Sequence, residues 1–381
     1  MISLLLLVFL LGFSESEICD ITEQKDVNMK FRAALKTFLP VPKNSPVLGW
    51  APRIPRAERR ERFKVFKAFK HIVDEVNHNT NLPFTTEINP FSIELNTDRF
   101  FGLNETKVSE DMLTDYEVES TNLDGEESND EDDERRQKRS NDLPSYVNWT
   151  DTLSTPIHQQ ECGSCWAFSA AATMESAYYR TMGTKISFSM QEIVDCALER
   201  YRFDPCKGST ISTGILWAAT KKRLASSVDY PYVGKQTPCR ASETPNSLTN
   251  VKARRLLRVP RDDLSLTEAV TEGVLSVGIY AGTSLLAYKT GIYYDPKTCR
   301  ATSFPNHAVN LVGYGQEGEC GGTGRKYWIL RNSWGEKWGE GGYFRMSRDH
   351  MNTCKINESA LRLDLRCLDE EKCKKQKADS D

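Results

Sequence analysis

A cysteine follows a turn of small residues in the run Gln-Gln-Glu-Cys-Gly-Ser-Cys-Trp-Ala-Phe at positions 159–168. Cys165 stands at the start of an apolar, alanine-rich segment that predicts a helix through Arg180. Backbone N–H groups at a helix N-terminus lack partners within the helix, and the helix dipole is positive there. Both effects favour the thiolate, which is the nucleophilic form of cysteine. The pattern therefore indicates a nucleophile rather than a buried structural cysteine.

A thiolate nucleophile needs an imidazole beside it and a group that holds the imidazole. The chain has five histidines. His71 and His78 lie in a segment that we predict below to be removed. Of His158, His307 and His350, only His307 lies in a strand-like apolar run, 306–315, which glycines close. We therefore predict that His307 is the base and that His158 is a surface residue.

These stretches resemble the papain-like cysteine peptidases. Cys-Gly-Ser-Cys-Trp at 162–166 matches the papain and cathepsin signature, and the 142 positions from Cys165 to His307 match that family's spacing. The run Asn-Ser-Trp-Gly at 332–335 resembles the family's asparagine motif. The chain as a whole resembles a cathepsin-L-type zymogen in particular. The resemblance implies hydrolysis of protein or peptide substrates without a cofactor or metal.

The same resemblance implies a role for each residue of the site. Cys165 attacks the scissile carbonyl, and His307 forms the imidazolium partner and later protonates the leaving amine. Asn332 orients the imidazole ring through its side-chain oxygen, and Trp334, at the edge of the substrate site, shields that bond from water. Gln159 and the backbone N–H of Cys165 form the oxyanion hole.

The substrate-binding residues also follow from the family pattern. Gly208 and Ser209 take the place of a glycine pair that binds peptide backbone, and we expect the Ser209 side chain to intrude on that wall. The resemblance places four further residues around the main specificity pocket and implies an apolar residue two before the cut. No histidine lies between Cys206 and Cys239, which favours an endopeptidase over a carboxydipeptidase. The four pocket residues are Ile211, Gly278, Ala308 and Ser359.

The N-terminal part of the chain divides into a leader and a pro-region. Residues 1–16 contain an unbroken apolar stretch, 4–13, that is too short to span a bilayer, and small residues follow it, so they predict a signal peptide. Residues 17–139 contain phenylalanines and valines at helical spacing that resemble the pro-region helix of the family. Asn89-Pro90-Phe91 resembles its second motif, although the aspartate that ends that motif is Ile93 here. We expect this pro-region to inhibit the mature domain.

Residues 105–134 form an acidic linker with fourteen Asp or Glu and one Lys. Such a run buries too little apolar surface to fold. It ends in Arg-Arg-Gln-Lys-Arg before Ser140, which indicates cleavage at Arg139-Ser140 by an activating convertase of the furin type. The mature peptidase domain is then 140–381.

The predicted fold class is α+β. The resemblance implies a papain-like two-domain fold: a helical left domain and an antiparallel β-barrel right domain, the active-site cleft between them, and a helical pro-region in front. Helices are expected at 191–197 and 214–222, and strands at 275–280, 308–314, 327–332 and 342–346. The charged tail, 368–381, is expected to be disordered.

Eleven cysteines behind a secretory leader indicate an oxidising compartment, either extracellular or lysosomal. Family positions imply the bridges Cys162–Cys206, Cys196–Cys239 and Cys299–Cys354, with Cys165 free. No partner is assigned to Cys19, Cys320, Cys367 or Cys373. Asn104, Asn148 and Asn357 begin glycosylation sequons, which are weak patterns.

Two other functions compete with this interpretation. Cys162-Gly163-Ser164-Cys165 could be a thioredoxin-like redox pair, and a bridge from Cys162 to another cysteine would exclude it. An inactive binding protein of the same fold would be expected to have lost Cys165, His307 or Asn332, and all three are present. A net charge of −3 gives no reason to expect a nucleic-acid or membrane partner. We expect a monomer that cystatin-type inhibitors could bind.

Overall fold

The computed structural model describes residues 54–94, 96–103, 143–199, 203–299, 304–317 and 324–378, and seven single positions between 27 and 37. The predicted signal peptide, the acidic linker, the Arg139-Ser140 bond, Cys19, Asn104 and Cys320 lie outside these residues. The chain forms two compact units, one of residues 1–79 with 86–97 and one of residues 80–85 with 98–381.

The first unit is built on helix α1, Arg56–His78. Its buried face carries Phe66, Phe69, Val73 and Val76, the helical spacing that the sequence predicted. A 3-10 turn, Pro90–Ile93, begins where the Asn89 side chain accepts a hydrogen bond from the Phe91 N–H. Arg62, held by Glu58 at 2.9 Å, donates to the Ile93 carbonyl at 2.7 Å and joins this turn to the helix. The expected pro-region helix is therefore present.

The second unit has a helical part and a sheet. Its central helix, α2, is Cys165–Met182, and every residue of it through Tyr178 is buried, since alanine and serine allow other elements to pack closely on all sides. It ends at Gly183, whose φ of 77° suits the left-handed cap. The remaining helices are α3 Met190–Cys196, α4 Ile211–Lys221, α5 Asp263–Thr271, α6 Thr283–Leu286, α7 Pro296–Cys299 and α8 Glu370–Ala378.

The strands form one sheet, in the order β5-β8-β7-β6-β4-β9-β3, with β2 paired to β6. All these pairs are antiparallel except β5 with β8. At its edge, the Ile292 N–H of β5 donates to the carbonyl of Pro83, the residue before the short strand β1. Strand β6 is buried through Gly315 and packs against α2, which joins the helical part to the sheet. The bounds are β1 Phe84–Thr86, β2 Val147–Asn148, β3 Val251–Arg258, β4 Leu275–Ile279, β5 Tyr288–Tyr293, β6 His307–Gln316, β7 Lys326–Arg331, β8 Tyr343–Ser347 and β9 Ala360–Cys367.

The C-terminal segment corrects one expectation. Residues 368–381 were expected to be disordered, but helix α8 covers most of them. A disulfide joins Cys367, at the end of β9, to Cys373 in α8, and Cys373 is buried against Met182 of α2. The bridge and this contact hold a helix that is too polar to be recognised from its pattern. Within the described residues, no helix is long and apolar enough to cross a membrane.

Candidate active site

Cys165 is the first residue of helix α2 and is fully buried. The preceding residue, Ser164, does not cap the helix; its hydroxyl instead meets the Tyr232 hydroxyl at 2.7 Å. The uncapped amides of the first helical turn therefore face the region of the thiol. The Ala308 N–H donates to Cys165 Sγ at 3.4 Å, which is within the usual range for a sulfur acceptor. The thiol thus lies between the start of α2 and strand β6.

His307 begins strand β6, where it pairs with Ile279 of β4. Its Nε2 lies 2.8 Å from Oδ1 of Asn332, the residue that follows β7. Trp334 stacks on the imidazole with 4.8 Å between ring centroids and an angle of 23°. Trp334 is 2% exposed, so the His307–Asn332 bond is sheltered from water. Trp334 thus packs on the catalytic pair, and it is not part of the specificity pocket described below.

Gln159 lies in a turn before α2 and is fully buried. Its Nε2 donates to the Cys162 carbonyl at 2.9 Å and faces the Phe100 carbonyl at 3.5 Å. Its Oε1 accepts a hydrogen bond of 2.5 Å from the Ser333 hydroxyl. The side-chain amide is therefore held at both ends, its donor by the Cys162 carbonyl and its oxygen by the Ser333 hydroxyl.

Burial shifts the pKa values of Cys165 and His307, the predicted nucleophile and base. Removal from water raises the pKa of the Cys165 thiol to about 11, although N–H groups of Ala308 and Gly102 act in the opposite direction. The same loss of water lowers the pKa of His307 to about 4, against the effect of Asn332. Desolvation disfavours each charged form, so both groups are neutral at pH 7. The expected thiolate–imidazolium pair is not the form that this covered site favours.

Residues 98–103 form a covering segment over Cys165 and His307, and they belong to the second unit. The Ser209 N–H donates to the Gly102 carbonyl at 3.0 Å, and the Leu103 N–H donates to the Asn306 carbonyl at 3.0 Å. Phe101 lies edge-on to His307, with 6.0 Å between centroids. The backbone approaches so closely that a Cβ on Gly102 would lie 1.9 Å from the Gly163 carbonyl oxygen. Only glycine fits there without displacing the segment.

Leu103 occupies the predicted specificity pocket and is 6% exposed. A Cβ on Gly278 would lie 2.8 Å from a Leu103 methyl group, 3.1 Å from Pro305 and 3.4 Å from Ser359. Leu103 belongs to the same apolar cluster as Ile211 and Ala308. Leu103 therefore lies beside Gly278, one of the four predicted pocket residues.

The predicted wall for substrate backbone, Gly208 and Ser209, differs from expectation in the position of the Ser209 side chain. Its side chain does not intrude on the cleft, because its hydroxyl is buried and bonds to the Thr213 hydroxyl of α4 at 2.8 Å. Its N–H remains on the cleft side, where it holds Gly102. Gly208 beside it has a φ of 94°, and a Cβ there would lie 2.4 Å from the Gly102 carbonyl oxygen. Backbone pairing at this wall is retained.

The three predicted disulfides, Cys162–Cys206, Cys196–Cys239 and Cys299–Cys354, are all present. Among the cysteines that the structure describes, Cys165 alone is free. Because Cys162 is bridged to Cys206, the thioredoxin-like alternative is excluded. The described part of the chain contains no cluster of three or more side chains that could hold a metal ion.

The two described sequons have different environments. Asn148 is exposed. Asn357 is 4% exposed, and its Nδ2 donates to Asp263 Oδ1 at 2.6 Å, so the folded chain leaves no space for a glycan on it. The prediction for Asn357 is therefore wrong.

Residues 143–363 match the family model described as papain family cysteine protease. The chain belongs to this family. It is 38% identical over 229 residues to cathepsin 7 of Rattus norvegicus, covering 59% of this chain and 67% of that protein. It is 37% identical over 218 residues to cathepsin J of Mus musculus, covering 56% and 63% respectively. The matched part therefore spans about two thirds of the length of these relatives.

Solved structures of zymogens have the same papain-like α+β fold. A recombinant stem bromelain precursor superposes with a TM-score of 0.67 at 28% identity, covering 89% of this chain and 99% of that one. Digestive procathepsin L 3 of Tenebrio molitor superposes with a TM-score of 0.65 at 24% identity, covering 90% and 98%. The second likeness concerns the fold alone.

Sequence reasoning missed several residues of the site. Asn306 supplies the carbonyl that holds Leu103, and its side chain makes two hydrogen bonds with the Ala281 backbone. The Tyr232 hydroxyl donates to the Gln159 carbonyl at 2.7 Å. These contacts use backbone atoms, which a pattern of residue types does not reveal. The position of Asn306 directly before His307 was the one sequence signal that could have indicated its role.

Proposed function

We propose that the chain is the zymogen of a cysteine endopeptidase whose nucleophile, base and orienting residue are Cys165, His307 and Asn332. The observation that carries the proposal is the arrangement of these three groups on α2, β6 and the end of β7, with Gln159 beside them. In the uncovered enzyme, the Cys165 thiolate attacks the peptide carbonyl carbon. The Gln159 amide and the Cys165 N–H bind the oxyanion of the tetrahedral intermediate.

The intermediate collapses as the carbon–nitrogen bond breaks and His307 gives its proton to the leaving amine. A thioester between Cys165 and the acyl group remains. Neutral His307 then takes a proton from water, and the water oxygen attacks the thioester carbonyl. The carbon–sulfur bond breaks, which releases the acid and restores the Cys165 thiolate beside protonated His307. Loss of Asn332 should slow each proton transfer, because the imidazole would no longer be held in one orientation.

Leu103 supports a preference for an apolar residue two before the cut, since it is buried beside Gly278, at the position that the family pattern gives to the main specificity pocket. The open form of the pocket would take a leucine or a similar substrate side chain. Protein or peptide substrates, cystatin-type inhibitors and a monomeric state are further parts of the proposal. So are residence in the secretory pathway and delivery to the lysosome or outside the cell.

The test uses the processed enzyme and a fluorogenic peptide with leucine two before the cut. We expect hydrolysis and stoichiometric labelling by an epoxide that alkylates active-site thiols. Cys165→Ala should abolish both and leave the circular dichroism spectrum unchanged. Cys165→Ser is the matched control for shape. Labelling or hydrolysis that persists in Cys165→Ala would overturn the proposal.

A further inference from the structure

His158 precedes Gln159 and stabilises the turn that carries this predicted oxyanion-hole residue. The Gln160 N–H donates to His158 Nδ1 at 2.7 Å, which closes a turn around Gln159. Gln160 has a φ of 55°, a left-handed conformation that residues with side chains rarely adopt. The hydrogen bond therefore offsets a backbone conformation that is unfavourable without it. The expectation that His158 is only a surface residue does not account for this contact.

The turn controls where the Gln159 amide lies. The Gln159 N–H donates to the Ser333 carbonyl at 2.8 Å, and its carbonyl accepts from Tyr232. These two bonds hold the backbone N–H and the carbonyl of Gln159. The bond from the Gln160 N–H to His158 fixes the direction in which the chain leaves Gln159. A small rotation at Gln160 would carry the side-chain amide away from the developing oxyanion, which tolerates little misplacement.

We propose that His158 is a positioning residue for the oxyanion hole and that it acts only as a neutral imidazole. Nδ1 can accept the Gln160 N–H only when it carries no proton. Protonation turns Nδ1 into a donor that faces another donor, so the turn loses its closing bond.

The charged groups around His158 come from three elements. Glu161 lies on its own loop and pairs with Arg99 at 2.9 Å in the covered site. Arg99 and Asp98 belong to the covering segment, in which Phe100 stands edge-on to the imidazole at 6.0 Å. Glu336 and Lys337 follow Trp334, whose backbone pairs with that of His158. None of these groups replaces the acceptor that the Gln160 N–H loses on protonation.

This inference rests on the proposed peptidase function, and the test separates the two. Wild type, His158→Asn and His158→Ala are made as full chains, processed, and titrated at Cys165 with the epoxide. Rates are then measured per titrated site with the leucine peptide from pH 4.5 to pH 8. Asparagine offers an oxygen acceptor at nearly the same place and does not titrate.

We expect His158→Ala to lower kcat by roughly three- to tenfold at pH 7.5, the value of one hydrogen bond, with KM unchanged. His158→Asn should remain within about threefold of wild type at pH 7.5. It should also lack the loss of rate in acid that protonation of His158 Nδ1 causes in the wild type. Identical pH profiles for wild type and His158→Asn would overturn the inference. An Asn variant that is titratable but as slow as the Ala variant would also overturn it. A wild type without hydrolysis would instead contradict the proposed function.

Discussion

One substitution, Leu103→Ala, should loosen the covering segment, residues 98–103. The test uses a chain in which Arg136 and Arg139, at the predicted cleavage site, are replaced by alanine to prevent processing. Leu103 is 6% exposed and lies beside Gly278, in an apolar cluster that also includes Ile211 and Ala308. Truncating a buried leucine to alanine costs about 2–5 kcal/mol. We use the lower part of that range, about 2–3 kcal/mol, since water can enter the emptied pocket from the cleft. Each 1.4 kcal/mol is a factor of ten, so the covered state should lose roughly 30- to 150-fold in population relative to the open state.

A second substitution tests the same contact from the backbone side. Gly102→Ala would place a Cβ 1.9 Å from the Gly163 carbonyl oxygen. Bonds from the Ser209 N–H to Gly102 and from the Gly163 N–H to the Cys206 carbonyl hold the two backbones in place. The segment must therefore lift from the wall, and we expect an effect at least as large as that of Leu103→Ala. Asp98→Ala is the matched control, since Asp98 belongs to the same segment and is exposed.

The assay is hydrolysis of the leucine peptide by the unprocessed chain at pH 7, expressed as a fraction of the rate after processing. Leu103→Ala and Gly102→Ala should raise that fraction, while Asp98→Ala should leave it within about twofold, as expected for an exposed position. Epoxide labelling of Cys165 should accelerate in parallel. If both variants stay as latent as the parent while the processed enzymes are active, the segment does not block the site by these contacts.

Two further predictions concern stability and processing. Asp364 lies among Arg255, Arg362 and Arg180, which hold its pKa below the ordinary value, so its contribution to stability exists above about pH 4 and is lost as the pH falls through the lowered pKa. Asp364→Asn should therefore lower the free energy of unfolding in urea by about 2 kcal/mol at pH 7, and by progressively less as the pH falls through the lowered pKa of Asp364. Exposed Glu371→Gln is the control, and a loss that does not decrease as the pH falls would contradict the ionic role. Secreted protein should begin at Ser140, and replacing Arg136 and Arg139 should leave a larger form; mass and N-terminal sequencing check this, and an unchanged N-terminus would refute it.

The parts of the site that the sequence predicted are those that side-chain chemistry specifies. Cys165, His307 and Asn332 have types and surroundings that few other functions require, so their positions on α2, on β6 and directly after β7 could be anticipated. Strand β4 was placed correctly within one residue because its run of apolar residues is buried on both faces. Strands β3 and β9 were not predicted, since arginines interrupt both, and these arginines are accommodated by Asp364, which pattern reading does not detect.

The other failures have one physical cause, which is tertiary context. Helix α8 has no apolar stripe and is held by the Cys367–Cys373 bridge, whose partners the sequence left open. The Ser209 side chain could have faced the cleft, but Thr213 in the first turn of α4 offers it a hydroxyl partner. Asn357 lies in a matching sequon, yet its amide is bonded to Asp263. In each case a contact distant in sequence, or a choice between two faces, decided the outcome.

The covered site also explains why latency and charge state belong together. Residues 98–103 exclude water from Cys165 and His307, and in that environment a separated pair of charges is more costly than a neutral thiol and imidazole. When the segment leaves, water and substrate dipoles can solvate the thiolate and the imidazolium, and their mutual attraction then lowers the pKa of the cysteine and raises that of the histidine. The same six residues therefore block the pocket and keep the nucleophile in its less reactive form. Removal of the segment should consequently change the charge state of the pair as well as access to it.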